Sequence, residues 1–340
     1  MNARAQYTSG DLIQADHWRW PMRLGQTGAG ASGVFTEWHH YILVGDAWSA
    51  IFNLNIDADA GGRSILILHD EQWCASIATF PPGKFNPGGI DATFSTASVR
   101  WDGKQYRVQC KHESAELELS LLPVSRPCIS HGIGPGASAS ISWCLVPQML
   151  ASGTLSVGGT VRAFSKVPAY HDHNWGALVW DGDFSWEWGL ATGRTASDTI
   201  TIVFARMCDR SRSVSIAHSM FLVIDGEVVR YFRDHEVSFS TGGTQSPPPD
   251  CRIPAAAALL VPDVDHDVPQ IVRIVAVRGN DRLDVKITSG RRCQILVPRG
   301  RNTRRVTRLN EVHAELSVRG LIGGKRFDDV LPCILEFVNG

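Results

Sequence analysis

Tyr170-His-Asp-His-Asn-Trp-Gly176 is the stretch from which the rest of the chain is best read. As a strand, its side chains alternate between two faces. Tyr170, Asp172 and Asn174 share one face, and His171, His173 and Trp175 share the other. A second aromatic run, Phe184-Ser-Trp-Glu-Trp188, follows closely. A purely structural strand rarely needs an acid, two imidazoles, a phenol, an amide and an indole together. The mixture suits a pocket wall where proton chemistry meets an apolar ligand.

On either side, helical periodicity is nearly absent. Short alternating or β-branched runs dominate, among them 41–55, 64–69, 97–101, 105–112, 116–122, 199–207, 215–224, 227–233, 271–277, 282–288 and 330–338. Asp102-Gly103, Asp225-Gly226 and Gly279-Asn280 read as tight hairpin turns. The expected fold class is therefore all-β, an antiparallel meander forming a barrel or sandwich. Longer connections are expected at Gly25–Gly33, Phe80–Gly89, Arg126–Gly136 and Ser240–Pro254.

A weak internal repeat points to two domains. Phe35-Thr-Glu-Trp38 resembles Ser185-Trp-Glu-Trp188, and each precedes a strand ending in Phe, at Phe52 and Phe204. Ser156-Val-Gly-Gly-Thr160, then Pro168 and Asp172, parallels Leu321-Ile-Gly-Gly-Lys325, then Pro332 and Glu336. The expected division is 1–168 and 169–340, with the Tyr170 run at the seam and Glu336 in the place of Asp172. All eleven Trp lie at or before Trp188, which suggests an aromatic cavity in the first domain or at the junction.

Composition narrows the function classes. A net charge of -1 gives no electrostatic case for nucleic acid. The basic stretch Arg291–Arg308 is interrupted by Val, Pro, Gly and Asn and reads as a solvated strand pair. No apolar run is long enough for a membrane helix, and Met1–Gly10 lacks the apolar core of a signal peptide, so a cytoplasmic location is expected. Eight Cys are scattered singly and read as buried free thiols. No Gly-x-Gly-x-x-Gly follows a strand, and the sequence has no phosphate-binding loop and no Gly-x-Ser-x-Gly elbow.

The chemistry centres on Asp172. Burial disfavours a carboxylate, so an acid in a water-poor, aromatic-lined space can act as a proton donor. Tyr170, on the same face, would position or relay the proton, and indole faces would stabilise a developing carbocation. The structural alternative is that Asp172 only binds nearby backbone N–H groups. Glu37-Trp-His-His-Tyr41 is the second notable run, with Glu37, His39 and Tyr41 on one face and Trp38 and His40 on the other. Trp38 and Trp143 also fit as core residues. A three-histidine metal site from His171, His173 and His39 or His40 is conceivable, but no helical His motif supports it. The expectation is no metal and no organic cofactor.

The stretches Ile141-Ser-Trp-Cys-Leu-Val-Pro147, Gly153-Thr-Leu-Ser-Val-Gly-Gly159, Tyr170–Gly176 and Phe184-Ser-Trp-Glu-Trp-Gly189, with Phe35-Thr-Glu-Trp38, resemble the hydroxyneurosporene synthase (carotenoid 1,2-hydratase) superfamily. Detailed matching covers about a third of the chain, and Tyr-x-Asp-x-Asn-x-Gly is its most specific part. The resemblance implies two tandem lipocalin-like β-barrel or sandwich domains. It also implies relatives among carotenoid hydratases, tocopherol-cyclase-like proteins and fungal Diels–Alderases, which work on long apolar substrates without an organic cofactor. By position, Tyr170 and Asp172 match the hydratase acid motif and Trp143 an upstream tryptophan. The hydratase pattern has a His two residues before that Trp, where this chain has Ile141.

The resulting expectation is a cyclase or hydratase for an isoprenoid or polyene. Asp172 would be the donor, Tyr170 its partner, and His171, His173 and Asn174 would orient groups or water. Glu37, Trp38, His39, Tyr41, Trp143, Trp175, Trp186 and Trp188 would line the substrate site. The alternatives are a pericyclic cyclase of the Diels–Alderase type and a non-catalytic carrier of an apolar small molecule.

Overall fold

In the computed structural model, residues 9–19, 35–57, 61–81, 83–86, 88–136, 139–177, 184–195, 197–209, 212–245, 247–262, 268–299 and 302–339 are described. They are overwhelmingly strand. The first sheet contains β1 (Phe35–Val44), β2 (Trp48–Asp57), β3 (Gly61–Asp70), β4 (Gln72–Phe80), β5 (Lys84–Phe85), β6 (Ala92–Thr93), β7 (Ala97–Trp101), β8 (Tyr106–Lys111), β9 (Ala115–Pro123), β10 (Cys128–Gly136), β11 (Ala139–Val157) and β12 (Thr160–Ala177). The second contains β13 (Phe184–Arg194), β14 (Thr199–Asp209), β15 (Ser215–Ile224), β16 (Glu227–Arg233), β17 (Val237–Thr244), β18 (Cys251–Ile253), β19 (Pro269–Arg278), β20 (Asp281–Arg299), β21 (Asn302–Ile322) and β22 (Lys325–Asn339). One helix, α1 (Ser9–Asp16), precedes them.

Both sheets follow one plan. The first runs β4-β3-β2-β1-β12-β11-β9-β8-β7-β6-β5, with β10 on β11. The second runs β16-β15-β14-β13-β22-β21-β20-β19-β17, with β18 on β20. In each, the opening strand of the segment pairs with its closing strand, β1 with β12 and β13 with β22. The fold class is the expected one, all-β with two antiparallel sheets.

The repeat seen in the sequence corresponds to this duplicated plan. The Gly158-Gly159 turn joins β11 to β12, and Gly323-Gly324 joins β21 to β22. Within each hairpin, one glycine stands opposite a phenylalanine, Gly153 opposite Phe164 and Gly320 opposite Phe327. Both glycines have φ near the same positive value, +156° and +157°. A Cβ on Gly153 would lie 2.0 Å from the Glu118 carbonyl oxygen, and one on Gly320 would lie 2.0 Å from that of Arg282. Neighbouring backbone thus approaches too closely for any side chain.

Compact units divide the chain at slightly different places from the sheets. One unit is Met1–Leu43, Ile51–Leu66 and Ser76–Leu178; the other is Val44–Ala50, Ile67–Ala75 and Val179–Gly340. The position 168/169, where the sequence suggests a division, lies inside β12, because the Tyr170 run is the strand that closes the first sheet. The β3–β4 turn belongs to the second unit through specific bonds. Trp73 donates its backbone N–H to Asp250 (3.0 Å) and its indole N–H to the Arg291 carbonyl (2.9 Å), and His69 stacks on His313 at 4.1 Å.

Three expected connections contain strands instead, the first being Phe80–Gly89, which carries β5. Arg126–Gly136 carries β10, and Ser240–Pro254 carries the end of β17 and the whole of β18. Pro and Gly residues there disguise short edge pairings that tertiary contacts stabilise. The expected Gly25–Gly33 connection lies outside the described residues.

The second unit has a large apolar core cluster. Along β22, Leu331, Cys333, Leu335 and Phe337 point into a cluster with Ala191, Phe204, Val312 and Leu316. By the shared plan, β12 places His171, His173 and Trp175 on the corresponding face. The same hairpin thus closes one unit with hydrocarbon and the other with polar rings. Gly320→Ala is expected to destabilise the protein by about 2 kcal/mol or more, since strain of this kind alone costs about 1–3 kcal/mol. Urea unfolding checks this; a loss under about 0.5 kcal/mol would contradict the close approach.

Candidate functional site

The register of β12 against its two neighbours builds the site. On β1, Trp38 pairs with Asn174, His40 with Asp172 and Ile42 with Tyr170. On β11, Trp143 pairs with Asn174 and Leu145 with Asp172. Directly opposed residues project from the same face. One face therefore collects Trp38, His40, Trp143, Tyr170, Asp172 and Asn174. All are buried except His40, which is partly exposed.

Hydrogen bonds converge on Asp172 there. The Tyr170 hydroxyl donates to Oδ2 at 2.8 Å, and the Asn174 amide donates to Oδ1 at 2.7 Å. His40 Nδ1 lies 3.5 Å from Oδ1. Trp143 in turn hydrogen-bonds the Tyr170 hydroxyl. An indole N–H can only donate, so the order runs Trp143 to Tyr170 to Asp172. Burial, then the charge of Asp172 beside it, push the Tyr170 hydroxyl well above its ordinary value and keep it a phenol.

The opposite face of the same strands holds a second polar group. Glu37 pairs with Trp175, His39 with His173 and Tyr41 with His171. Asp16, the last residue of α1, reaches into this face and is fully buried. His171 Nε2 lies 3.0 Å from Asp16 Oδ2, and His173 Nδ1 lies 3.1 Å from Asp16 Oδ1. His173 Nε2 lies 2.7 Å from Glu37 Oε1, and Tyr106 donates its hydroxyl to Asp16 Oδ2 at 2.5 Å. Both ring nitrogens of His173 thus face carboxylates, and both can donate only in the imidazolium form. Trp18 covers the group, its ring tilted against His39 with centroids 4.1 Å apart and its indole N–H donated to the Ile90 carbonyl. Arg19 lies over the Trp175 ring at 4.6 Å.

Electrostatics follow from these contacts. Burial pushes the Asp16 carboxyl up, but the charges and hydrogen bonds of His171 and His173 outweigh it and hold it well below the usual carboxylate range. Burial pulls His173 down, yet its bonds to Asp16 and Glu37 bring the net shift upward. Burial first, then the charge of His173, hold His39 well below the ordinary imidazole range, so it is neutral at pH 7.

Removing one member of a buried charged network strands the others. Asp16→Ala is expected to cost about 3–5 kcal/mol, because Tyr106, His171 and His173 lose their shared acceptor. Denaturant unfolding of variant and parent measures it; a change below about 1 kcal/mol would mean that the network contributes little.

The run read from the sequence therefore divides between two faces. Tyr170, Asp172, Asn174, Trp38 and Trp143 come together. His171, His173, Glu37, His39, Tyr41 and Trp175 come together on the other side, pointing away from Asp172. Trp186 and Trp188 lie on β13 of the second sheet, where Trp186 donates its indole N–H to Glu336. Glu336 pairs with Trp188 as Asn174 pairs with Trp38. Matched through these two tryptophans, its counterpart is Asn174 rather than Asp172, two residues from the place that the sequence match suggests.

Asp16, Trp18, Tyr106 and His40 are additional members of these groups. A signal existed for the first two. Asp16-His-Trp-Arg19 repeats the mixture of acid, imidazole and indole found at 171–175. His40 was visible within the run 37–41, and the strand register now sets it beside Asp172. Nothing in the sequence around Tyr106 distinguishes it from an ordinary hairpin core residue.

No protein-family profile and no curated protein sequence matches the chain. Solved structures do match over nearly its whole length. An ATTH-like protein from Nitrosomonas europaea shares 16% identity, covering 92% of this chain and 94% of its own, with a TM-score of 0.59. Kievitone hydratase from Nectria haematococca shares 11% identity, covering 91% and 90%, with a TM-score of 0.58. CghA shares 12% identity, covering 90% and 88%, with a TM-score of 0.62. The chain thus has the two-domain lipocalin-like fold that these proteins share, the fold implied by the carotenoid hydratase resemblance.

Proposed function

We propose that this protein is an enzyme of the hydratase or cyclase type, acting on an isoprenoid or polyene at the face that carries Asp172. The observation that supports this most is the buried carboxyl of Asp172, flanked by Tyr170, Asn174 and His40 and bordered by Trp38 and Trp143. That kievitone hydratase and the Diels–Alderase CghA share the fold adds to the reading.

In the proposed reaction, protonated Asp172 delivers its proton to an alkene carbon. A carbocation forms at the neighbouring carbon, where the indole faces of Trp38 and Trp143 stabilise it. Water then adds, or another alkene of the same substrate closes a ring. Loss of a proton returns Asp172 to its starting form. The Tyr170 hydroxyl suits both stages, because it can accept from the acid and donate to the carboxylate. His40 occupies the neighbourhood of the acid in a chain that has Ile141 where the hydratases have His. Protein groups and water suffice for these steps, so an organic cofactor is not required.

The test uses geranylgeraniol and lycopene as probes with purified protein. Mass spectrometry reads a gain of one water for hydration and an isomer for cyclisation. Asp172→Asn is expected to lower product formation by at least about 100-fold, the low end for a lost general acid, with an unchanged circular dichroism spectrum. Full activity in that variant would remove the acid role and favour a pericyclic cyclase. A tightly copurifying apolar molecule that is never converted would favour a carrier.

A further inference from the structure

We propose that the inner face of the first sheet, opposite Asp172, binds one divalent transition-metal cation through Asp16, His39 and His171, with His173 and Glu37 beside it. Four observations point there, and none depends on the proposed reaction.

The first is donor geometry. The ligand atoms of Asp16, His39 and His171 all lie within 4.8 Å of one another, as do those of Glu37, His39 and His173. Two donors about 2.1 Å from one ion lie at most about 4.2 Å apart, so modest side-chain rotation closes either set. All five residues are fully buried. Two imidazoles and a carboxylate are donors that suit zinc or ferrous iron.

The second is His39 itself. It is fully buried, yet neither ring nitrogen has a hydrogen-bond partner. Buried polar groups are almost always satisfied, and leaving one unmet costs about 1–3 kcal/mol. A His39 nitrogen belongs to each donor set, so a missing partner for it belongs there.

The third is the setting of His171. Its Nδ1 lies 2.9 Å from the His40 carbonyl oxygen, to which it can donate, and its Nε2 faces Asp16. The backbone carbonyl anchors Nδ1, the usual support for a metal-binding histidine, and a cation between Nε2 and Asp16 would replace the proton that the two share here.

The fourth is the second sheet. Through the same strand plan, His39 and His173 correspond to Gly189 and Leu335, and Tyr41 and His171 to Ala191 and Cys333. There the fold closes with an apolar core, and among the matched positions only Glu187, at the place of Glu37, is charged and is held by Arg206 and Arg212. The architecture therefore does not require a polar cluster at this place, and the one in the first sheet calls for another explanation. Helical His spacing gave no hint of it, because the donors come from a helix end and two paired strands.

The experiment strips the full-length protein with a chelator, then loads it with Zn²⁺ or Co²⁺ alone. After desalting, elemental analysis is expected to find about one ion per chain. X-ray absorption of the zinc form is expected to show nitrogen and oxygen neighbours, including imidazole, and no sulfur. His39→Gln is expected to weaken binding at least tenfold, while Asp172→Asn and His313→Gln, at the stacked His69–His313 pair, keep the stoichiometry. Folded wild-type protein that retains no ion would overturn the proposal, as would a sulfur neighbour. Undiminished binding by folded His39→Gln would do the same. If His39→Gln does not fold, the wild-type stoichiometry and absorption spectrum decide alone.

Discussion

The pairing of β1 with β12 is the constraint on which the rest depends. Its register sets His40 opposite Asp172 and His39 opposite His173. Since side chains alternate along a strand, a slip of one residue would exchange the two faces entirely. Every polar group discussed here owes its surroundings to that register. Close backbone approach at Gly153 helps to define the hairpin from which β12 emerges.

The duplicated plan makes the chemistry easier to interpret. Both sheets close by the same strand pairing, so differences between them isolate what the sequence adds to the fold. In the second unit the closing strand contributes Cys333, Leu335 and Phe337 to an apolar core, while Glu187 is held by Arg206 and Arg212. In the first, imidazoles and carboxylates take the same interior places. Burying them is expensive unless each is paired. The Asp16 and Glu37 contacts meet most of that demand, and His39 is the residue whose demand is unmet.

Much of the fold was legible in the sequence because strand alternation and hairpin turns are local signals. The two-face division of 170–176 followed from alternation alone. The internal repeat marked the duplicated hairpins before any strand order was known. Asp16 escaped notice because its importance comes from α1 crossing to strands more than 150 residues away. Tyr106 escaped for the same reason. Spacing from the Gly-Gly turn is nearly equal for the two acids and so aligns Glu336 with Asp172, whereas strand pairing aligns it with Asn174. β10 and β18 were hidden by Pro and Gly in segments that pair through tertiary contacts.

Of the two faces of β12, the one with Asp172 and the tryptophans is held to meet the substrate, and the one with Asp16 and the histidines to be closed within the unit. Photolabelling with a diazirine analogue of geranylgeraniol, followed by residue-level peptide mass spectrometry, distinguishes them directly. Label is expected on Trp38, Trp143 and Tyr170. Label on Tyr41, His171 and Trp175 instead, residues of the same strands facing the other way, would contradict the assignment of the substrate face.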